Sequence, residues 1–373
     1  MRWIRTGAIG AMAAALLVPP AAGGYAYDSG DFAVEVVEYV QGGPVTNDWL
    51  TGQPFNDPAC ALGRPTVDTT GDGWFIPPDE AMPVVGVYPP FRSFEVVSIG
   101  AGGHLTVRFD HRVANHPYNR RGIDLIVFGN AAQVIGGGQA WGNGDPNLTV
   151  AGAQGLVDRG VLSVSQDGQN WHAFDAGPYV NDFAPALGRV YDPADPDPAL
   201  GAWNQWWGEP TDPTRPLDVS LSFSSLAGKT VAEVAGAYGA SAGGTGFDIG
   251  SLGLEWIQYV RIDGPADQAP PEVDALADAA IDAALAAPGD ATLDARVNYQ
   301  DVGILATNYG RTQASWIEGD FTGDGTVDYL DVGIATTHYG YDGWNEGGRP
   351  VPLPGSLVLL AAGAVLAAGR RRA

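Results

Sequence analysis

Oxygen-bearing side chains recur at a fixed spacing in a twelve-residue segment, 320–331, which we call the second loop. Counted from the start of the loop, positions 1, 3, 5, 9 and 12 are Asp320, Thr322, Asp324, Asp328 and Asp331. Calcium is a hard cation that takes roughly six to eight oxygen ligands, and a loop with oxygens at these positions can wrap them around one ion. Gly325 at position 6 suits a sharp turn, and Thr326 at position 7 would offer its backbone carbonyl. The spacing therefore predicts a calcium site.

A second copy of this pattern lies thirty positions earlier, at 290–301, and we call it the first loop. Aligned over 289–310 and 319–340, 13 of 22 positions are identical. The predicted ligands are Asp290, Thr292, Asp294, Arg296 (through its backbone carbonyl), Asn298 and Asp301. Position 6 is Ala295, and alanine at a positive φ costs about 1 kcal/mol relative to glycine. We therefore expect a weaker or slightly distorted first site; the alternative for both loops is a pair of Asp-rich turns without metal.

A short amphipathic segment follows each loop. Val302, Leu305 and Tyr309 share one helical face after the first loop, and the second copy repeats the pattern. Gly310 and Gly340 stand where a helix commonly ends in a left-handed residue. Each unit is thus predicted to be a loop followed by a helix, and two such units are expected to pack on each other because one alone cannot bury its apolar face.

The duplicated loop-then-helix unit, with Asp at position 12, resembles the type I dockerin domain over 289–340. The resemblance implies two calcium ions and docking onto a cohesin module of a carbohydrate-degrading assembly. The cohesin contacts of that family would fall on loop positions 10 and 11, which are Tyr299, Gln300, Tyr329 and Leu330 here. The Ser/Thr pair usual at these positions is absent. The alternative is a calcium-stiffened stalk in an envelope protein, with no cohesin-like partner.

Composition limits the possible partners. The 373 residues carry a formal net charge of -24, which repels nucleic acid and anionic membrane surfaces and favours divalent cations. Cys60 is the single cysteine, so the sequence contains neither an internal disulfide nor a cysteine metal cluster. We expect no nucleic-acid partner.

Both ends of the sequence read as targeting segments. Residues 1–26 combine Arg2 and Arg5, an apolar stretch and small residues, which is typical of a secretory signal peptide cleaved after Ala26. Residues 351–373 hold a Pro-containing turn, an apolar run predicted to be a membrane helix, and the arginines 370–372. The pattern predicts an exported protein that ends in the cell envelope.

The C-terminal segment resembles the PEP-CTERM sorting signal, through Pro352, Leu353 and Pro354 followed by the apolar run and the basic tip. The resemblance implies processing by an exosortase-type enzyme, after which the C-terminal membrane anchor is removed. Leu353 replaces the usual glutamate of the motif. The alternative is a plain C-terminal anchor that stays in the membrane.

The large central region, 27–264, is predicted to be mainly β. Short apolar or alternating runs between Gly, Pro, Asn and Asp predict at least seven strands, among them HLTVRFD, IDLIVFGN, DVSLSF and WIQYVRIDG. We predict a jelly-roll-like β-sandwich. The segments SIGAGGHLTVRFD, HPYNRRGIDLIVFGNA and GGTGFDIGSLGLEWIQYVRIDG together resemble an uncharacterised secreted domain of bacterial cell-surface proteins, which is loosely similar to discoidin and carbohydrate-binding sandwiches. Residues 265–288 are predicted to be a linker with an Ala-rich helix, and 341–350 a second linker.

The central region contains no hydrolase, zinc-peptidase or phosphate-loop motif. Trp203, Trp206 and Trp207 lie in a Gly/Pro-rich loop, where flat aromatic rings can stack on sugars. The alternative is that these rings are buried and hold the loop in place. Our leading hypothesis is an envelope-anchored, calcium-binding surface protein that binds polysaccharide. The alternatives are a polysaccharide-degrading enzyme with a catalytic carboxylate pair and a structural matrix protein.

Overall fold

The computed structural model describes residues 31–48, 51–66, 90, 92–136, 146–183, 186–196 and 206–345. The predicted signal peptide, Trp203, the Pro352-Leu353-Pro354 motif and the predicted C-terminal membrane helix lie outside these ranges. Within them, no helix has the length and apolar character needed to cross a bilayer.

The described chain is mainly antiparallel sheet with few helices. Its strands are β1 (Glu35–Val40), β2 (Val97–Ser98), β3 (His104–Ala114), β4 (Leu125–Phe128), β5 (Ala132–Gly136), β6 (Thr149–Leu156), β7 (Val161–Ser165), β8 (His172–Ala173), β9 (Arg189–Tyr191), β10 (Trp207–Pro210), β11 (Thr245–Phe247), β12 (Trp256–Asp263), β13 (Glu272–Val273) and β14 (Ala275–Asp278). Its α-helices are α1 (Phe223–Leu226), α2 (Val231–Tyr238), α3 (Tyr299–Asn308) and α4 (Tyr329–His338). We refer to the described residues up to 279 as the β domain and to 287–345 as the calcium-loop module.

The largest sheet has the strand order β1-β3-β12-β7-β8 and is antiparallel throughout. Val260 of β12 lies opposite Val107 of β3 and Val164 of β7. All three side chains are buried, because the period of two along a strand sends every second residue to one face. The strands predicted from HLTVRFD and WIQYVRIDG are confirmed.

A three-stranded sheet, β11-β4-β14, shares a core with the larger sheet. Leu125 and Val127 of β4 pack into that shared core, whereas Ile126 and Phe128 pack on the opposite face against Phe32. Both faces of β4 are therefore covered. This explains why its sequence is an uninterrupted apolar run rather than an alternating one.

The helix predicted within 265–288 is wrong. This segment contains β13, which pairs with β2, and β14, which pairs with β4, followed by a single 3-10 turn at Ala283–Leu285. Leu276 enters the shared core while Ala275 and Ala277 face the other side, which is the period of a strand. Alanine is small enough to fit under Phe128 there. The β domain therefore extends past the predicted boundary at residue 264.

The strand predicted from DVSLSF is also wrong. Residues 218–222 form turns, in which Asp218 accepts the backbone N–H of Ser220, and Ser222 then caps α1. The neighbouring helix α2 was not predicted. Its signal is present in the sequence as a capping box, in which Thr230 and Glu233 satisfy each other's backbone N–H groups.

The two predicted helices of the calcium-loop module are confirmed as α3 and α4. The loops themselves start them: Asn298 and Asp328, at position 9, are the N-caps, and position 12 of each loop completes the capping box. The repeats pack across each other, since a Cβ on Gly319 would lie only 2.9 Å from the Cα of Leu305 in α3.

Residues 341–345 are part of the calcium-loop module, which corrects the predicted linker at 341–350. The backbone of Val297 in the first loop bonds to Tyr341 O at 3.0 Å, and Gly343 N bonds to Ala295 O at 2.7 Å. The second loop is bonded in the same way by the chain after α3, for example from Val327 N to Arg311 O at 3.0 Å. Each loop is therefore braced by the segment that follows the other repeat's helix.

Candidate functional site

The second loop is organised around two buried carboxylates. Asp320 Oδ1 accepts the backbone N–H of Gly323 at 2.9 Å, and its Oδ2 accepts that of Gly325 at 2.7 Å. Asp331 Oδ1 accepts the backbone N–H of Phe321 at 2.8 Å and of Thr322 at 3.0 Å. The chain thereby curls around positions 1 and 12, and the Thr322 hydroxyl lies 3.1 Å from Asp320 Oδ1.

The remaining predicted ligands of the second loop stand on turns at its surface. Asp324 Oδ1 accepts the N–H of Thr326 at 2.8 Å, and Asp328 Oδ1 accepts that of Leu330 at 2.7 Å. These bonds leave the other carboxylate oxygens and the carbonyl of Thr326 to serve as ligands. The structure thus joins positions 1, 3 and 12 and holds positions 5, 7 and 9 on neighbouring turns.

The first loop joins the same three positions largely through equivalent bonds and differs mainly at Asp290. The Thr292 hydroxyl lies 3.1 Å from Asp290 Oδ1 and 3.0 Å from Asp301 Oδ1. Asp301 also accepts the backbone N–H of Ala291 at 3.0 Å. Within the described residues, Asp290 accepts no backbone N–H of its own loop; its Oδ2 accepts the Tyr118 hydroxyl at 2.9 Å instead. Asp294, at position 5, accepts the N–H of Arg296 at 2.9 Å, and Asn298, at position 9, accepts that of Gln300 at 2.9 Å.

Both loops need left-handed backbone at positions 4 and 6. The second loop places Gly323 and Gly325 there, with φ of 75° and 82°. The first loop places Leu293 and Ala295 there, with φ of 59° and 61°. A side chain disfavours this conformation, so the first loop carries backbone strain that the second does not. The left-handed conformation on which we based the weaker first site is present at Ala295.

Calcium fits the donor set of these loops. Asp290, Asp301, Asp320 and Asp331 are at most 3% exposed. In the part of the chain that the structure describes, none of the four forms an ion pair with a basic side chain. Burial raises the pKa of Asp290. Two carboxylates buried side by side without a counter-charge are costly, and a cation would offset that cost.

The acidic groups do not form a complete metal site by themselves. Among the described residues, no three Asp, Glu, His or Cys side chains converge closely enough to hold a metal ion. Each predicted site also includes neutral oxygens, from the Thr292 or Thr322 hydroxyl and the carbonyl of Arg296 or Thr326. A calcium ion would therefore need these oxygens, with positions 5 and 9 moving toward the pair at positions 1 and 12.

Among the tryptophans of the Gly/Pro-rich loop, Trp207 is not placed to stack on a sugar. Trp207 is 0% exposed and packs with Leu187, Leu226 and Tyr238 in a second core cluster, so it cannot contact a sugar. Trp206 is partly buried against the same cluster. Burial of these rings matches the alternative interpretation, in which they hold the loop in place.

The positions that the dockerin resemblance assigns to cohesin contact are all on the surface. Tyr299 is 71% exposed, Tyr329 69% and Leu330 47%, and Gln300 is also exposed. They occupy the first turns of α3 and α4, on equivalent sites of the two repeats. The residues are therefore accessible to a partner protein.

A half-open cavity of about 500 Å³ lies where the shared core of the two sheets meets the second core cluster. Its apolar part includes Ile123, Phe174, Phe183 and Leu217, and Val219 lies at its edge with 67% of its surface exposed. The polar part is contributed by Asp182, Asp218, Thr245, Asp248 and Ser251. The sequence did not predict this cavity, because its lining comes from four separated parts of the chain, at 123, 174–183, 217–221 and 244–251.

The carboxylates of the cavity have local partners. Asp182 Oδ1 is 2.6 Å from Arg159 Nε, and Asp218 Oδ2 is 2.8 Å from Arg121 Nη2. Hydrogen bonds from Ser220 lower the pKa of Asp218. Asp218 is therefore suited to accept hydrogen bonds from a ligand rather than to donate a proton.

The sequence did not predict one pair of neighbouring acids, the buried Glu272 and the partly buried Asp158. Burial raises the pKa of Glu272 to about 8, and it raises that of its neighbour Asp158. Glu272 is 0% exposed and its Oε1 lies 3.3 Å from the Ser98 hydroxyl. Neither Asp158 nor Glu272 lines the cavity.

Comparisons with protein-family models, curated proteins and solved structures found no match to this chain.

Proposed function

We propose that this chain is an exported, envelope-anchored calcium-binding protein of the cell surface. The observation that carries the proposal is the duplicated loop, each copy of which holds a pair of buried carboxylates with no basic partner among the described residues. Calcium would offset the repulsion within each pair and draw the two loops and two helices into a rigid module. Carboxylates, hydroxyls and backbone carbonyls are the ligands that calcium prefers.

In this proposal the calcium-loop module carries the β domain. The core shared by the five-stranded and three-stranded sheets supports a jelly-roll-like sandwich, as predicted from the strand pattern. Residues 1–26 would direct export, and 351–373 would provide a membrane helix and a sorting signal for an exosortase-type enzyme. The exposed Tyr299, Tyr329 and Leu330 would be available to a cohesin-like partner.

The first test is a thermal melt of the full chain with calcium and with chelator. Calcium at about a hundredfold excess over its Kd should raise the melting temperature by roughly 5 °C or more, because it binds only the folded state. Asp320→Ala combined with Asp331→Ala should remove most of the gain, while the exposed Asp267→Ala should keep it. Equal melting with and without calcium would contradict the proposal.

We propose polysaccharide as the ligand of the β domain, bound in the 500 Å³ cavity rather than on the tryptophan loop. Its volume is in the range of ordinary ligand pockets. The apolar wall formed by Phe174 and Phe183 suits the C–H face of a sugar ring. The carboxylates of Asp182, Asp218 and Asp248 suit its hydroxyl groups.

A binding screen against soluble and insoluble polysaccharides tests this second proposal. Val219→Glu places a charge at the edge of the cavity and should weaken binding at least tenfold. Val37→Glu, on an exposed position of β1, is the matched control and should bind normally. Release of reducing sugar would instead favour the enzyme, and absence of any binding would favour the structural matrix protein.

A further inference from the structure

We infer that Tyr118 of the β domain is a positioning residue of the first calcium loop, so that calcium binding there and seating of the β domain on the calcium-loop module are coupled. The inference rests on the proposed calcium binding. It concerns residues 172 positions apart in the chain, joined by the hydrogen bond from the Tyr118 hydroxyl to Asp290 Oδ2.

The second loop shows what this bond replaces. There, the position 1 carboxylate has its Oδ2 held by the backbone N–H of Gly325 at position 6. In the first loop, the position 6 residue is Ala295 and its N–H does not donate to Asp290. Tyr118 supplies the missing donor at a similar distance, 2.9 Å against 2.7 Å. The position 1 carboxylate of the second loop is thus oriented by the loop's own backbone, and that of the first loop is oriented by a side chain of the β domain.

Tyr118 is itself fixed in one orientation. The residue is 2% exposed, and its hydroxyl accepts the backbone N–H of Ala287 at 2.7 Å. Since a tyrosine hydroxyl has a single proton, that proton is directed to Asp290. Asp290 Oδ1 then remains on the side of Thr292, at 3.1 Å from its hydroxyl.

Neighbours of Tyr118 hold another part of the same loop. His116 accepts the N–H of Tyr118 at 3.0 Å, and its ring packs edge-on against Trp344 at 4.9 Å. Trp344 Nε1 donates to the carbonyl of Asp294, at position 5, at 2.7 Å. The segment that follows β3 therefore contacts position 1 of the first loop directly through Tyr118. It contacts position 5 indirectly, through Trp344.

The chain entering the first loop is held to the same segment. Asp282 N bonds to Tyr118 O at 2.7 Å, and the Asp282 carboxylate pairs with Arg120. No hydrogen bond or ion pair in the described residues joins the second loop to the β domain. By linkage, a contact that improves calcium binding at the first loop is strengthened by calcium in return.

The test is calorimetric titration of the full chain with calcium alone. Tyr118→Phe should weaken one of two sites roughly tenfold, as loss of a bond to a metal ligand commonly does, and leave the other unchanged. Tyr39→Phe also removes a hydroxyl hydrogen bond, to Ser98 O at 2.9 Å within the β domain, and should leave both sites unchanged.

The outcomes separate this inference from the proposed function. Two unchanged affinities in Tyr118→Phe would overturn the coupling while calcium binding stands. No calcium binding by the unsubstituted chain would overturn both.

Hydrogen exchange provides a test that does not depend on the folding of Tyr118→Phe. In the unsubstituted chain, calcium should slow exchange of the backbone amides at 118–122. The same should hold in Asp331→Ala, which disables the second loop, but not in Asp301→Ala, which disables the first. If calcium did not change the exchange rates of the amides at 118–122 in the unsubstituted chain, the inference would be overturned.

Discussion

The two predicted calcium loops have the same spacing of oxygen-bearing side chains and are supported in different ways. The second loop holds its Asp320 carboxylate with its own backbone, through Gly323 and Gly325. The first loop has side chains at both of these positions and holds Asp290 through Tyr118. Duplication thus produced one self-contained site and one that relies on a neighbouring domain. The comparison shows that a ligand pattern alone does not describe how a site is kept in shape.

Among the substitutions that test this comparison, the largest effect on stability and calcium binding is expected at position 12 of the second loop. Asp331→Ala leaves three backbone N–H groups without an acceptor, at Phe321, Thr322 and Asp328. We expect the module to lose about 3 kcal/mol of unfolding free energy and one of its two calcium ions. Urea denaturation and calorimetric stoichiometry measure these losses. A variant that still binds two ions would show that Asp331 is not a ligand.

Exchanging the residues at position 6 of the two loops should change the free energy of unfolding by smaller amounts and in opposite directions. Ala295→Gly relieves a left-handed alanine and should stabilise the chain by up to about 1 kcal/mol, whereas Gly325→Ala should destabilise it by about as much. Calcium-free urea denaturation of both variants tests this. If both variants shifted stability in the same direction, backbone strain would not be what distinguishes the loops.

Trp344→Phe keeps an aromatic ring but removes the hydrogen bond from Nε1 to Asp294 O. We expect this substitution to reduce the free energy of calcium binding at the first loop by about 1 kcal/mol or less. Only the first loop should be affected, so calcium titration should show one weakened site. Trp256→Phe is a suitable control, since that residue lies on β12 of the β domain. Weakening of both sites by Trp344→Phe would contradict independent support of the two loops.

The smallest effect is expected from pH, through the β domain. His111 lies between Asp110 and Asp278, and the hydrogen bond to Asp278 raises its pKa to about 9. Because this value is above the ordinary one of 6.5, the stabilisation by charged His111 is complete below about pH 6.5 and is lost as the pH rises through about 9. Asp278 is the last residue of β14, and the chain that follows it bonds to Tyr118 O through the backbone N–H of Asp282.

We therefore expect a modest fall in melting temperature between about pH 6.5 and pH 9, with the first loop losing calcium affinity before the second. His111→Gln should remove the His111-dependent part of the change. The measurement is a series of thermal melts and calcium titrations across this range. An identical pH profile for His111→Gln would show that this histidine does not stabilise the fold.

Much of the β domain was predictable where the apolar residues follow one regular pattern along the sequence. The runs of β3, β4 and β12 predicted strands because apolar residues alternate or continue over a strand's length. Residues 272–278 were misjudged because alanine suits a helix or a strand, and pairing of β14 with β4 decided between them. Trp207 was assigned to the surface as one alternative, and packing with Leu187 buried it.

The sequence by itself determined the local parts of the candidate calcium site. Ligand spacing, left-handed turns and helix starts all depend on residues within twelve positions of each other, so the chain encodes them without help from distant segments. Only the tertiary structure decided that Tyr118 faces Asp290, that Trp207 is buried and that four segments surround a cavity. These contacts join residues far apart in the chain, and side-chain packing rather than local periodicity selects them.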